Sequence, residues 1–244
     1  MARNLEVGEN VLVPRARLNL PVSGHSALYR TKVERHNDRS IRVTLPNGQL
    51  SAAVASSAVH RNLGLLVVRI GDFATEETLL DPLGKSVLQF LRLLLPDDSV
   101  VIREVRSIEE LSRFWANDHA AHSHMLLIGH GRKDGIRFGV EDWIGADRLV
   151  EVLGGPNPEP KVYLSLCCQH GYASFARVFS RAKICEAFIA PFHDVHGAVA
   201  SQFCQTYLSY HLLEGETVGV AYKHAREAVP GGSIFRMWKD GALG

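Results

Sequence analysis

The sequence has no long apolar run and few cysteines. Its longest nearly apolar stretch, residues 87–96, is interrupted by Gln89 and Arg92 and falls well short of the roughly 20 residues of a membrane-spanning helix. The 4 cysteines include no CxxC pair, so the pattern favours neither a disulfide scaffold nor a structural zinc site. The N-terminus has no apolar signal segment, and we therefore expect a cytoplasmic location and no membrane partner.

The sequence also has no large excess of positive or negative charge, because its formal net charge is +1. The charges are unevenly distributed along the chain. Residues 1–62 contain nine Lys or Arg and four Asp or Glu, a net charge of +5, and the rest of the chain contains 18 Lys or Arg and 22 Asp or Glu, a net charge of −4. A basic segment is one mark of nucleic-acid binding. This one carries no RNA-binding aromatic pattern, so the sequence favours a solvated basic face over a nucleic-acid partner.

Two domains are predicted from the change in pattern along the chain. Residues 1–62 contain short strands separated by turns, and Asn47-Gly48 between two alternating runs is typical of a hairpin. We predict a small SH3-like β-barrel there. Residues 63–244 alternate strands with helices, which indicates an α/β domain with a mostly parallel sheet flanked by helices.

The predicted elements of the second domain follow from apolar runs, caps and prolines. The predicted strands are 65–70, 99–105, 124–128, 161–166 and 185–190. The predicted helices are 82–95, a helix from the N-cap Ser107 to Ala116, 146–153, 197–213 and 217–229. Glu110, three residues after Ser107, makes the second of these helices begin with a capping box.

Two of the predicted strands end in reactive side chains. The strand at 124–128 leads into Gly129-His130-Gly131, and the strand at 161–166 leads into Cys167 and Cys168. In open α/β sheets, ligands bind at the carboxyl edge, where such strand ends meet. If the two strands are neighbours, a histidine and a cysteine face each other across one crevice.

A cysteine beside a histidine is suited to acyl transfer. The imidazole takes the thiol proton, the thiolate attacks a carbonyl carbon, and the imidazole returns the proton to the leaving amine. The developing oxyanion needs hydrogen-bond donors, and the backbone N–H groups of Gly131 and of the nucleophile lie at strand ends where they could provide them. This chemistry requires no metal or other cofactor.

The order of these motifs resembles that of a known peptidase family. Along the chain come Gly-His-Gly at 129–131, Leu-Ser-Leu-Cys at 164–167, Cys-Glu-Ala-Phe-Ile-Ala at 185–190, and two helices containing Leu-Leu-Glu-Gly at 212–215 and Ala221, Ala225 and Arg226. Over residues 64–229 the sequence is similar to a caspase-like cysteine peptidase of the CHAT type, in the clan of caspases, separase and gingipains. The resemblance implies a bacterial regulatory or defence protease that cleaves a protein partner.

The resemblance leaves the identity of the nucleophile open. The family's strand usually reads Leu-Ser-Ala-Cys, and a gap-free match selects Cys167, which we favour at this stage. The family's common Cys-x-x-Gly pattern selects Cys168 instead, together with Gly171. The cysteine that is not the nucleophile is expected to pack as a small buried apolar residue.

An acidic residue after the next strand often receives a basic P1 side chain in this family. Here Asp194 is the candidate for that substrate-binding role, although it lies two or three residues earlier than the common spacing. It could instead cap the helix predicted to begin at 197, because an aspartate before a helix accepts backbone N–H bonds. A basic P1 residue is therefore a prediction that depends on Asp194.

Two rival functions remain at this stage. One is a catalytically silent caspase-fold module that binds a partner protein, and the other is a regulatory protein whose basic barrel binds nucleic acid. A metal enzyme is not favoured, because the histidines at 119, 122 and 124 and at 193 and 196 lack the spacing typical of zinc ligands.

Overall fold

The structure is a computed structural model that describes residues 5–21, 28–60, 64–71, 76–95, 99–154 and 159–244. The predicted domain boundary between residues 62 and 63 lies outside the described residues.

The N-terminal strands form an antiparallel four-stranded sheet in the order β1-β2-β3-β4. The strands are β1 Asn10–Pro14, β2 Leu28–His36, β3 Ser40–Val43 and β4 Val54–Ala55. The predicted turn is present, with Gly48 at a φ of +77°. Of the strand predicted after it, at 49–54, the structure has a bridge between Thr44 and Leu50 and Val54, the first residue of β4. Over the described residues this sheet is a half-barrel, and a closed SH3-like barrel is not confirmed.

Among its described residues, the second part of the chain contains ten further strands. In chain order they are β5 Leu65–Ile70, β6 Val100–Val105, β7 His124–Ile128, β8 Gly131–Arg132, β9 Gly135–Phe138, β10 Asp142–Ile144, β11 Lys161–Ser165, β12 Cys185–Pro191, β13 Phe235–Lys239 and β14 Ala242–Leu243. Seven form one sheet in the order β14-β13-β12-β11-β7-β5-β6, and β10-β9-β8 form a small separate sheet. In the large sheet β6, β5, β7, β11 and β12 run parallel, while β13 and β14 run antiparallel to their neighbours. The predicted mostly parallel α/β sheet is confirmed.

Helices cover both faces of this sheet. They are α1 Asp81–Leu94, α2 Ile108–Asp118, α3 Ala146–Leu153, α4 Ala173–Arg181, α5 Gly197–Leu208 and α6 Val218–Ala228. The core around α1, α5 and α6 takes alternate residues of the central strands, and the core around α2, α3 and α4 takes the residues between them. Because both faces are buried, the central strands are continuous apolar runs.

Most of the predicted elements agree with the structure, and the capping box is confirmed. Ser107 Oγ accepts a hydrogen bond from Glu110 N at 3.1 Å, and the Glu110 carboxylate accepts one from Ser107 N. The sequence reasoning did not predict helix α4, the small sheet or the last two strands. The predicted helix at 197–213 changes to a π-helical turn at Ser209–Leu213.

The half-barrel packs directly on the α/β domain. Leu12 and Leu28 belong to the same apolar cluster as the α5 side chains. Arg17 pairs with Glu216 at 3.1 Å, in the segment before α6. In the described ranges, no helix is long and apolar enough to cross a membrane.

Candidate active site

The candidate site lies at the carboxyl edge of the large sheet, where β7 and β11 are adjacent parallel strands. Leu127 is in register with Ser165, and Leu166 N donates to the Leu127 carbonyl oxygen at 2.8 Å. The two strands are therefore neighbours, which is the condition for a histidine and a cysteine to share one crevice. As a result, the segment containing His130 and the turn containing both cysteines leave the sheet side by side.

Gly131 brings these two segments into direct contact. A Cβ atom placed on Gly131 would lie 2.8 Å from the Cys167 Cβ and 2.9 Å from the His170 Cδ2, and it would also overlap the Cys168 carbonyl oxygen. Real Cβ atoms do not make such contacts, so only glycine permits this approach of two backbones. His130 itself is half-buried.

The small sheet holds the His130 segment from its other side. Arg137 N, on β9, donates to the His130 carbonyl oxygen at 2.9 Å. Gly131 on β8 pairs with Ile136 on β9. The histidine backbone is therefore fixed between β9 and the cysteine turn.

The two cysteines occupy different environments. Cys167 is fully buried in the apolar cluster beneath α4, with its Sγ 3.7 Å from the Leu127 carbonyl oxygen. Burial raises the pKa of the Cys167 thiol to about 12. Cys168 is only half-buried, so of the two thiols it is the one that a substrate could reach.

Cys168 is held against the segment that follows β12. Its Sγ accepts a hydrogen bond from Val195 N at 3.4 Å. Burial is the main cause that raises the pKa of the Cys168 thiol; the Val195 N–H opposes this effect, and the nearby Asp194 charge adds to it. A thiol of this kind remains protonated at neutral pH and needs a base to become nucleophilic.

Asp194 lies beside the cysteine turn and is exposed. Gln169 Nε2 donates to Asp194 Oδ1 at 2.8 Å, and Gln169 has a φ of +61°. Asp194 does not cap α5, because the N-cap is His196, whose Nδ1 accepts from Ala198 N at 3.2 Å. The carboxylate is therefore left next to the Cys168 thiol rather than at a helix end.

Sequence reasoning missed His170, which lies two residues after Cys168 and is fully buried. Its ring stacks on Phe175, with ring centroids 4.1 Å apart. It also missed the role of Trp238, whose indole Nε1 donates to the Gly171 carbonyl oxygen at 3.0 Å. Neither residue carried a sequence signal, since both act through contacts between distant parts of the chain.

The other histidines that the structure describes give no evidence of a metal centre. His124 lies at the other edge of the sheet, where its Nε2 is 3.1 Å from the Nε2 of His211. Within the described residues, no group of three or more His, Cys, Asp or Glu side chains is arranged to hold a metal ion.

A scan against known protein families finds no matching family, and a search of curated proteins finds no significant match. The function is therefore inferred from the residues and geometry of this site and from the order of the sequence motifs.

Proposed function

We propose that this protein is a cysteine endopeptidase that cleaves a protein partner in the cytoplasm, with His130 as general base and acid and Cys168 as nucleophile. In this proposal residues 63–244 are a caspase-like, CHAT-type peptidase domain and residues 1–62 an SH3-like barrel. The observation that carries it is the Gly131 contact, which sets the residue after His130 against the backbone of the cysteine turn.

The first half of the proposed reaction forms an acyl-enzyme. His130 takes the proton from Cys168 Sγ, and the sulfur forms a bond to the carbonyl carbon of the scissile peptide. The carbonyl oxygen becomes an oxyanion, for which the backbone N–H groups of Gly131 and Cys168 are the proposed donors. The C–N bond then breaks, the amine product takes the proton from His130, and a thioester remains.

The second half is hydrolysis of that thioester. His130 takes a proton from water while the water oxygen bonds to the carbonyl carbon. The C–S bond then breaks, the sulfur recovers the proton from His130, and the carboxylic acid product leaves. The reaction consumes one water and needs no other co-reactant.

The environment of the two thiols supports Cys168 over Cys167 as nucleophile. Cys167 is fully buried, so a substrate carbonyl cannot reach its sulfur. Cys168 is the half-buried thiol, and it also fits the family's Cys-x-x-Gly pattern with Gly171. The gap-free match that favoured Cys167 does not take account of side-chain burial.

A basic P1 residue is proposed because Asp194 presents its carboxylate beside Cys168. The Gln169 amide already donates to one carboxylate oxygen, which orients the group. A charge-assisted bond from an Arg or Lys side chain is worth about 1.5–3 kcal/mol. Loss of the Asp194 carboxylate should therefore lower kcat/KM for Arg substrates by about one to two powers of ten.

The proposed nucleophile can be tested with an irreversible thiol-directed peptidyl probe. We expect the probe to modify Cys168, as located by mass spectrometry, and to react much more slowly with the His130→Ala variant. Cys168→Ala should abolish labelling, while the matched variant Cys167→Ala should retain it. Equal labelling of wild type and His130→Ala would instead indicate a catalytically silent module.

The specificity can be tested with fluorogenic peptides that differ only at P1. We expect cleavage after Arg and Lys, and a selective loss of that cleavage in Asp194→Ala. Gln169→Ala is a milder control, because it removes only the bond that orients the carboxylate. Preference for Asp at P1, or an Arg preference unchanged in Asp194→Ala, would contradict the role of Asp194.

A further inference from the structure

His170 makes two hydrogen bonds inside the fold, one from each ring nitrogen. Nε2 lies 3.1 Å from the Gly135 carbonyl oxygen, and Nδ1 lies 2.9 Å from Ser165 Oγ. The ring is fully buried and stacks on Phe175 at an interplanar angle of 13°. These two hydrogen bonds and the stacking contact thus determine both the position and the orientation of the ring.

The partners determine where the protons lie. A carbonyl oxygen can only accept, so His170 Nε2 carries the hydrogen and donates it to Gly135. In the neutral ring Nδ1 then accepts, and Ser165 Oγ donates to it. Ser165 Oγ in turn accepts from Cys167 N at 3.3 Å, which completes a chain from Gly135 through His170 and Ser165 to the cysteine turn.

This chain joins the two segments that carry the proposed dyad. Gly135 begins β9, the strand that holds the His130 backbone through Arg137 N. Ser165 ends β11, and Cys167 N belongs to the turn that leads to Cys168. The edge of the His170 ring also faces Gly131, because a Cβ there would lie 2.9 Å from His170 Cδ2.

We propose that His170 is a positioning residue that holds the Cys168 turn in register with the His130 segment. This inference rests on the proposed peptidase function. It differs from a packing role, because packing requires only the ring on Phe175, whereas positioning requires the hydrogen bonds to Gly135 and Ser165.

Three variants separate the bonds from the packing. His170→Phe keeps an aromatic ring for the stack and removes both hydrogen bonds. His170→Gln places an amide nitrogen near the position of Nε2 and keeps the bond to Gly135, and Ser165→Ala removes the other bond while leaving the imidazole. We expect kcat to fall in His170→Phe by on the order of 10- to 100-fold with little change in KM, and to fall less in the other two variants.

The decisive measurement is the dependence of Cys168 labelling on His130. We would compare the peptidyl-probe rate with and without His130→Ala in the wild type and in each of the three variants. If His170 aligns the dyad, the effect of His130→Ala shrinks toward onefold in the His170→Phe background, because the histidine is already misaligned. A structural role would leave that ratio at its wild-type value, since two independent effects multiply.

The outcomes separate this inference from the proposed function. Wild-type labelling that does not depend on His130 would overturn the peptidase and this inference with it. Labelling that depends on His130 equally in the wild type and in His170→Phe would overturn the positioning role alone. If His170→Phe does not fold, as judged by circular dichroism, the same ratio in Ser165→Ala and His170→Gln decides the question.

Discussion

The buried imidazole of His170 makes the stability of the protein depend on pH in a calculable way. Burial lowers its pKa from the usual 6.5 to about 4 in the folded protein. At pH 5 the unfolded chain therefore holds a proton on His170 that the folded protein does not. Stability supported by the neutral ring is complete above about pH 6.5 and is lost as the pH falls toward about 4.

The magnitude follows from the two pKa values. Each unit of difference corresponds to about 1.4 kcal/mol, so His170 should lower the free energy of unfolding by about 2.5 kcal/mol between about pH 7.5 and about pH 4.5. His170→Gln lacks this titration. As the pH falls from about 7.5 to about 4.5, the free energy of unfolding of this variant should therefore rise by about 2.5 kcal/mol relative to that of the wild type.

Urea denaturation at a series of pH values measures this difference, with the free energies obtained by linear extrapolation. Groups that both proteins share cancel in the comparison. Phe179→Leu is a matched control, because it removes part of a buried ring from the cluster that contains Phe175, the residue on which His170 stacks, and leaves every titratable group in place. Its difference from wild type should not change with pH, and a constant difference for His170→Gln would refute the reasoning.

Three further substitutions test other parts of the fold. In Gly131→Ala the added Cβ overlaps the cysteine turn. We expect the free energy of unfolding, measured with urea, to fall by about 1–3 kcal/mol and the peptidyl-probe labelling of Cys168 to slow at least about tenfold. A labelling rate equal to that of the wild type would contradict the close approach of the two segments. Ser107→Ala should lower the free energy of unfolding, followed by circular dichroism, by about 1 kcal/mol, because the N-cap of α2 is lost. Arg69→Met should lower the free energy of unfolding, measured with urea, by about 1–3 kcal/mol. The reason is that the nearly buried guanidinium pairs with the partly exposed carboxylate of Asp81 at 2.8 Å. An unchanged free energy of unfolding would mean that this ion pair contributes nothing to stability.

Local sequence was sufficient for the five parallel strands of the large sheet and for most of the helices that cover it. The strands at 65–70 and 124–128 and the helix at 146–153 have the predicted bounds, because each is an apolar or amphipathic run with a clear local boundary. The alternation of strands and helices was also enough to predict parallel strands with both faces covered. The pairing of β7 with β11, on which the candidate site depends, did not follow from this pattern, because alternation alone does not say which strands are neighbours.

Elements that gain their stability from distant partners were not predictable in this way. The short strand β8 exists through its pairing with β9, and β13 is ordered by antiparallel pairing with β12. Neither strand is a continuous apolar run, because β8 is only Gly-Arg and β13 reads Phe-Arg-Met-Trp-Lys. Helix α4 was missed for a different reason, because its buried residues Phe175, Ala176 and Phe179 do have helical spacing.

The candidate site, too, could be predicted only in part from the sequence. The sequence by itself determined that a histidine and two adjacent cysteines follow buried strands, because residue type and strand order are local properties. Only the tertiary structure decided that Cys167 is buried while Cys168 is half-buried, and that His170 joins the two segments. The chain leaves extended geometry after β11, so the direction of each side chain is set by the neighbours it meets and not by its parity along the strand.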